Sequence, residues 1–418
     1  MKTKAVRLYG KMDLRLEEFE LPKIQSGEMM VKIISDSLCM SSYKAAAQGS
    51  AHKRVPDDVA ENPIMMGHEF CGTIIEVGDK WKDSFTVGDN ISIQPAMSHT
   101  MRAAGYSFPY TGGNATYAII PEEYIEAGCI LKYDGDAFFY GSLSEPVSCV
   151  IGAFYAQYHT TQGSYVHKMG IVEGGNLAIL AGAGPMGFGA IDYAINGPKQ
   201  PSLLVVTDID QARLERAASI YTAEDAAKKG VKLVYINTGS CENPVEKLLS
   251  YTDGKGYDDV FCMAPVRSVV EQSDAILGHD GCLNFFAGPT DTKFSATMNF
   301  YNVHYASTHI VGTSGGNTDD MKEALELMAD GTMNPSGMVT HVGGLNSAVE
   351  ATKNLPNIPG GKKLLYTQLD MPLTAISDFA KLGETDPVFA KLAEIVGKNN
   401  NLWCAEAEKY LLANGKPI

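Results

Sequence analysis

The chain has 418 residues, more than one hydrophobic core ordinarily serves, so two domains are expected. Its 34 basic and 49 acidic residues leave a net charge of −15, which repels nucleic acid and anionic lipid, and no basic run is long enough to reverse that. No apolar stretch reaches the roughly 18 residues of a membrane helix, and Met1 to Arg7 enter a strand pattern without a signal peptide, so a cytoplasmic protein with no membrane partner is expected.

Lys4 to Tyr9 and Asp13 to Phe19 alternate in polarity across a Gly10-Lys11 turn, and Glu28 to Ser35 follows Ser26-Gly27, so the opening is β-rich. Cys39 stands just past a strand. Ser41 to Ala47 can form a short helix capped by Ser41 or Ser42. The basic clusters His52-Lys53-Arg54 and Lys362-Lys363 are short enough to be solvated surface, yet a phosphate on a small substrate could use either, as it could His99 or Arg102. Ile64 to Gly78 is again strand, with Gly67 and Gly72 where a bulge or a close backbone approach excludes a side chain.

Within that strand lies His68-Glu69. A mononuclear Zn²⁺ acting as a Lewis acid takes three N, S or O ligands and keeps one position open. Cys39, His68 and a carboxylate from Glu69 or Glu145 satisfy that count, and the residues do not decide between the two glutamates, so both are expected at or beside the ion. Pro146 suits a first helical turn, which would aim Glu145 from a helix N-terminus. The eight cysteines include no Cys-x-x-Cys pair, which excludes a four-cysteine structural zinc knot and points to buried thiols.

Asn176 to Ala181, Gly182-Ala183-Gly184-Pro185-Met186-Gly187, Phe188 to Ile195 and Ser202 to Asp208 read as strand, glycine-rich turn, helix, and strand ending in an acid. In that setting Gly-x-Gly-x-x-Gly indicates a dinucleotide fold. Gly182 makes the tight turn, Gly184 with Pro185 and Met186 brings the pyrophosphate to the helix amides, and Gly187 allows close packing. Asp208 would accept from the adenosine ribose and repel a 2′-phosphate, favouring NAD while leaving NADP possible, and Arg213 joins the cofactor-binding group. Strands at Lys232 to Ile236, Tyr257 to Met263, Gly281 to Gly288 and His309 to Thr313, separated by helices, extend a parallel sheet. A helix capped by Asn317 or Thr318, a strand from Lys363 to Thr367 and two or three amphipathic helices from Pro372 complete the chain. The expected fold class is α/β, a Rossmann doubly wound parallel sheet plus a β-rich catalytic domain. The expected domains are 1–153, catalytic; 154–312, dinucleotide-binding; and 313–418, catalytic return with a helical extension.

Cys39, the Gly67-His68-Glu69 block through Gly78, Val87-Gly88-Asp89, Glu145-Pro146 and the Gly182 to Asp208 fingerprint resemble the medium-chain, zinc-dependent alcohol and polyol dehydrogenases. The resemblance implies a GroES-like catalytic domain, one catalytic zinc and hydride transfer with NAD(P)H. Because Glu-Pro stands where the alcohol branch has a cysteine ligand, it is nearest the sorbitol and threonine dehydrogenase branch. Within it, Leu8 to Lys11, Gly105 to Pro109, Glu145 to Phe154, Gly281 to Pro289 and Asn299 to Asp320 are similar to the L-sorbose 1-phosphate reductase family, which implies reduction of a ketose phosphate to glucitol 6-phosphate. It also implies Ser41 as the first proton-relay hydroxyl, the alternative being a helix cap, with Glu69 and Glu145 as the other catalytic groups. A homo-oligomer, dimer or tetramer, is expected, paired through a strand near Thr308 to Gly312.

Three departures from the family stand out. Met40 and Ser42 replace the usual Gly and Asp after the cysteine ligand, the Pro95 to Gly113 loop has no cysteine for a structural zinc, and Lys44 lies where alcohol-type relatives carry a relay histidine. Rival readings are a dehydrogenase of an unphosphorylated polyol or of threonine, and a catalytically silent NAD-binding regulatory protein.

Overall fold

The computed structural model describes all 418 residues, which divide into two compact units. One comprises Met1–Glu145, Asn317–Ala329 and Val339–Ile418; the other comprises Pro146–Gly316 and Asp330–Met338. The first division falls between Glu145 and Pro146, inside the helix Phe138–Ala156. Asp330–Met338 belongs to the second unit because Arg216 donates to the Gly337 carbonyl at 2.8 Å and Asn334 N–H donates to Asp192 at 2.9 Å.

In the first unit the strand Met29–Leu38, buried along almost its whole length, is the axis of an eight-stranded sheet. It pairs antiparallel with Phe70–Val77, Tyr117–Ile120 and Lys362–Tyr366. A strand covered on both faces reads as a nearly continuous apolar run, which Met29 to Ile34 is. Lys2–Gly10, Asp13–Glu20 and Ile64–Met65 form a smaller sheet. The predicted strand Ile64 to Gly78 is therefore broken: Met66 to Glu69 carry no strand, and Gly67 sits at φ +90°, where a Cβ would run into the Asn114 amide and the Asp36 carboxylate.

The second unit is a six-stranded, wholly parallel sheet. Its order is Lys232–Asn237, Leu203–Asp208, Asn176–Leu180, Tyr257–Cys262, Leu277–Phe285 and His309–Gly312. The first strand in sequence lies in the middle and the order reverses beside it, as a doubly wound dinucleotide fold requires. Every residue of Leu203–Asp208 is buried.

Pro146 does not begin a helix. Phe138–Ala156 starts eight residues earlier and holds the proline in its interior. A proline there has no N–H to donate to the Ser142 carbonyl one turn back; the neighbouring Gly141 carbonyl accepts from the Ser92 and Ser144 hydroxyls, both at 2.6 Å. The true N-terminus of this helix is held by the C-terminal extension: Phe138 and Phe139 N–H donate to Glu408 at 2.5 and 2.8 Å, and Tyr366 OH donates to the same carboxylate at 2.9 Å. Glu145 thus lies mid-helix, with no helix-end field to favour its charge.

Candidate active site

The register of three strands explains the site. Leu38 ends its strand where Phe70 begins the neighbour on one side and Lys362 begins the neighbour on the other. Cys39, His68-Glu69 and Lys362 therefore emerge at one edge of the sheet. One ligand atom each of Cys39, His68 and Glu69 lies within 4.8 Å of the others. Glu145 is outside that trio, but its carboxyl feels the charges of Glu69, His68 and Cys39.

The helix after Cys39 is Met40–Gln48, with Cys39 itself at the N-cap and no side-chain cap bond. Neither Ser41 nor Ser42 is the cap, because both hydroxyls face the site. Ser41 Oγ is 2.9 Å from Cys39 Sγ and 3.3 Å from His68 Nε2, and Ser42 Oγ is 3.2 Å from His68 Nδ1. Tyr106 OH also reaches His68 Nε2, at 3.2 Å.

Lys362 and Lys363 are not solvated surface: both are buried. Lys362 Nζ donates to both oxygens of Glu69 at 2.6 Å, and Ser37 Oγ donates to Oε2. Lys363 Nζ donates to the carbonyls of Ile358, Pro359 and Gly361. Asp36 receives the Glu69 N–H at 3.0 Å and the Asn114 amide, which fixes the turn into the strand. Lys362, Asp36 and Tyr106 are site residues that motif reading did not assign. The only signal for Lys362 was its adjacency to the apolar run Leu364-Leu365-Tyr366, which makes a solvated strand start improbable.

The electrostatics fit a cation. Burial pushes the Glu145 carboxyl up to about 8, with the Glu69 charge adding to it, and burial likewise takes Asp36 up to about 7. Burial and Glu69 also push the Cys39 thiol above its ordinary value. Glu69 alone is held below the usual range against its own burial, by Lys362 above all. Three acidic groups around a single lysine are a set that a divalent ion would ionise, and thiol, imidazole and carboxylate are the donors Zn²⁺ takes.

In the second unit, Gly182 N–H donates to the Thr207 carbonyl at 2.7 Å, and the helix Pro185–Asn196 begins at Gly184 with Pro185 in its first turn and Met186 next. A Cβ on Gly187 would collide with the Gly182 backbone, which is why that position excludes any side chain. Nothing crowds Gly184, so ligand atoms can approach the helix amides. Asp208 ends the second strand, buried. It accepts from Ala183 N–H at 3.2 Å and from Ile209 N–H and Asp210 N–H at 2.8 and 3.1 Å. Arg213 is exposed and faces Asp210 at 3.5 Å.

Residues 25–128 match the alcohol dehydrogenase GroES-like domain and residues 203–330 the zinc-binding dehydrogenase family. A mannitol-1-phosphate 5-dehydrogenase of Aliivibrio fischeri is 57% identical over 98% of this chain and 97% of its own. The chain belongs to the medium-chain, zinc-binding alcohol and polyol dehydrogenases. An L-sorbose 1-phosphate reductase of Klebsiella pneumoniae is 49% identical over 100% of this chain and 98% of its own. The crystal structure of 2R,3R-butanediol dehydrogenase from Bacillus subtilis superposes with a TM-score of 0.69 at 20% identity, covering 87% of this chain and 99% of that one. This dehydrogenase is NAD(P)-linked, with a Rossmann sheet and a GroES-like unit. None of its helices is long and apolar enough to cross a membrane.

Proposed function

We propose that this dehydrogenase interconverts a ketose monophosphate and a polyol monophosphate, using NAD(H) and one zinc held by Cys39, His68 and Glu69 with Glu145 beside it. The reading is carried by the convergence of thiol, imidazole and carboxylate within 4.8 Å, in a chain whose full-length relatives are named for mannitol 1-phosphate and L-sorbose 1-phosphate. When bound, zinc supplies a Lewis acid for the substrate carbonyl and the nicotinamide supplies the hydride.

The chain's own residues do the rest. Lys362 and Ser37 hold Glu69 ionised and fixed, and Ser42 at His68 Nδ1 orients the imidazole so that Nε2 faces the thiol side. Ser41, between Cys39 Sγ and His68 Nε2, is the hydroxyl we assign to proton delivery. Ser41 would give its proton to the oxygen of the carbonyl as it is reduced and would recover one from solvent, so the chain's own share of the reduction is the proton. Asp208 beside the Ala183 amide favours NAD, since a 2′-phosphate there would meet a carboxylate.

Self-association through the edge strand His309–Gly312 is part of this reading. The strand has one free edge, and Phe300, Tyr301, Tyr305 and Ile310 are exposed in and just before it. The decisive test is a panel of L-sorbose 1-phosphate, mannitol 1-phosphate, their unphosphorylated parents and threonine, each with NAD(H) and NADP(H). Phosphorylated substrates with NAD(H) should lead by at least about tenfold in kcat/KM, a margin of 1.4 kcal/mol. A parent sugar or threonine in first place would overturn the assignment.

A further inference from the structure

The C-terminal extension buries an acid. Glu408, in the helix Ala405–Asn414, is 2% exposed, and the core around it joins Trp403 and Leu411 to Phe139 and Leu143 of the helix Phe138–Ala156 and to Leu364 and Tyr366 of the strand Lys362–Tyr366. A carboxylate among apolar side chains is costly unless donors meet it. Three do: the N–H groups of Phe138 and Phe139 at 2.5 and 2.8 Å, and the Tyr366 hydroxyl at 2.9 Å. Trp403 Nε1–H donates to the Tyr366 oxygen at 2.6 Å, which leaves the phenolic proton for Glu408. The residue ahead of the helix, Ala137, has no side-chain acceptor, so the first helical amides depend on a residue 270 positions away.

That helix is laid on the strands that deliver the candidate metal trio. A Cβ on Gly141 would collide with the Sγ of Cys71, two residues past Glu69. Ser142 Oγ lies 2.7 Å from Ser35 Oγ, while Ser92 Oγ reaches Ser144 Oγ at 3.0 Å and donates to the Gly141 carbonyl at 2.6 Å. Ser35, Cys71 and Ser92 sit in the strands Met29–Leu38, Phe70–Val77 and Asn90–Ile93. Glycine and serine contacts leave no long side chain to absorb a shift, so movement of the helix start passes to Glu145, about two turns on. Pro146 interrupts the helical ladder just beyond Glu145, so this turn is anchored from its N-terminal side. Tyr366 belongs to the strand whose first residue, Lys362, holds Glu69. One carboxylate therefore ties the helix that carries Glu145 to the strand that carries Lys362.

We infer that Glu408 is a positioning residue of the active site: from the C-terminal helix it fixes the start of the helix that brings Glu145 to the metal trio. This rests on the reading above, which sets Glu145 beside the zinc, and deepens it. The C-terminal extension is then part of the catalytic apparatus, acting on the zinc pocket through one helix.

The test compares zinc affinity, by chelator competition, and kcat with the best substrate of the panel above in wild type, E408Q, E145Q, E408Q/E145Q and L392A, all well below their melting temperatures. Gln keeps the size of Glu408 but turns an amide NH₂ towards donors. E408Q should weaken zinc and lower kcat by about fivefold each, less than the roughly tenfold or more that direct partners of a metal ligand command, with KM for NAD within about twofold. In the E145Q background, adding E408Q should change neither quantity further, because the effect runs through Glu145. L392A opens a cavity in the same core, and should lower the melting temperature while leaving zinc affinity and kcat at wild type. Should E408Q fail to fold, Y366F removes one donor to Glu408 and should weaken zinc in the same direction; wild-type affinity there overturns the inference. An E408Q protein that loses only melting temperature, L392A losing zinc in parallel, or additive E408Q and E145Q effects would each overturn it too. E145Q at wild-type zinc affinity and kcat overturns the placing of Glu145 at the ion, and the role of Glu408 with it.

Discussion

The two chemical centres of this chain are built in opposite ways. The nucleotide turn of the second unit is one continuous segment, Gly182 to Gly187, whose conformation is set by neighbours a few residues away and by the next strand. The candidate metal trio of the first unit has no local existence. Cys39, His68 and Glu69 meet only because three strands start or stop at one edge, and Lys362, almost the whole chain away, completes them. A local centre tolerates distant change, whereas an assembled one depends on every strand that delivers a residue.

The largest expected effect tests that independence directly. C39A should lose near-stoichiometric zinc and at least roughly a thousandfold in kcat/KM, while NADH binding, followed by fluorescence, stays within about twofold of wild type. Loss of NADH binding in the same variant would mean that the two centres are not separable.

Next is K362M, which leaves the Glu69 charge buried without its counter-ion. Breaking such a pair costs about 3–5 kcal/mol, measured as loss of unfolding free energy in urea, and adding E69Q should recover much of it. A K362M protein as stable as wild type would show that the buried pair is not integral to the first unit.

The second unit has its own buried acid. Asp192 accepts from Asn334 N–H and the Asn196 amide, yet burial pushes its carboxyl up from 3.8 to about 7. The folded state therefore keeps a proton that the unfolded chain releases above pH 4, and Asp192 withdraws stability as pH rises from about 4 to about 7, by roughly 2–4 kcal/mol in all. D192N should lack this decline, so its melting temperature relative to wild type climbs between pH 5 and 7.5 and levels off above. A difference that stays constant with pH would place the titration elsewhere.

The smallest effect is at the nucleotide turn. D208G should weaken NAD binding by about tenfold and NADP much less, with zinc content unchanged. Equal losses for both cofactors would show that Asp208 does not face the ribose.

How far each centre could be read beforehand follows the same division. The parallel sheet, the glycine turn and the terminal acid were legible because buried parallel strands are apolar throughout and the turn is contiguous. The donors Cys39 and His68 were legible as residue types, but three local inferences failed for tertiary reasons. Ser41 and Ser42 looked like caps until their hydroxyls proved to face the thiol and the imidazole. Pro146 looked like a helix start, but Glu408 from the C-terminal extension caps the helix eight residues upstream. Lys362-Lys363 looked like solvated surface, because no local pattern announces a buried carboxylate or a cluster of carbonyls as partner.

From the order of residues alone came the two-part α/β architecture, the dinucleotide turn and the chemical kinds of donor available. Three-dimensional packing decided which acid shares a lysine and which hydroxyls touch the imidazole. The physical reason is range: backbone propensity and glycine sterics act over a few residues, whereas the pairing of buried charges is settled by strand register between segments hundreds of residues apart.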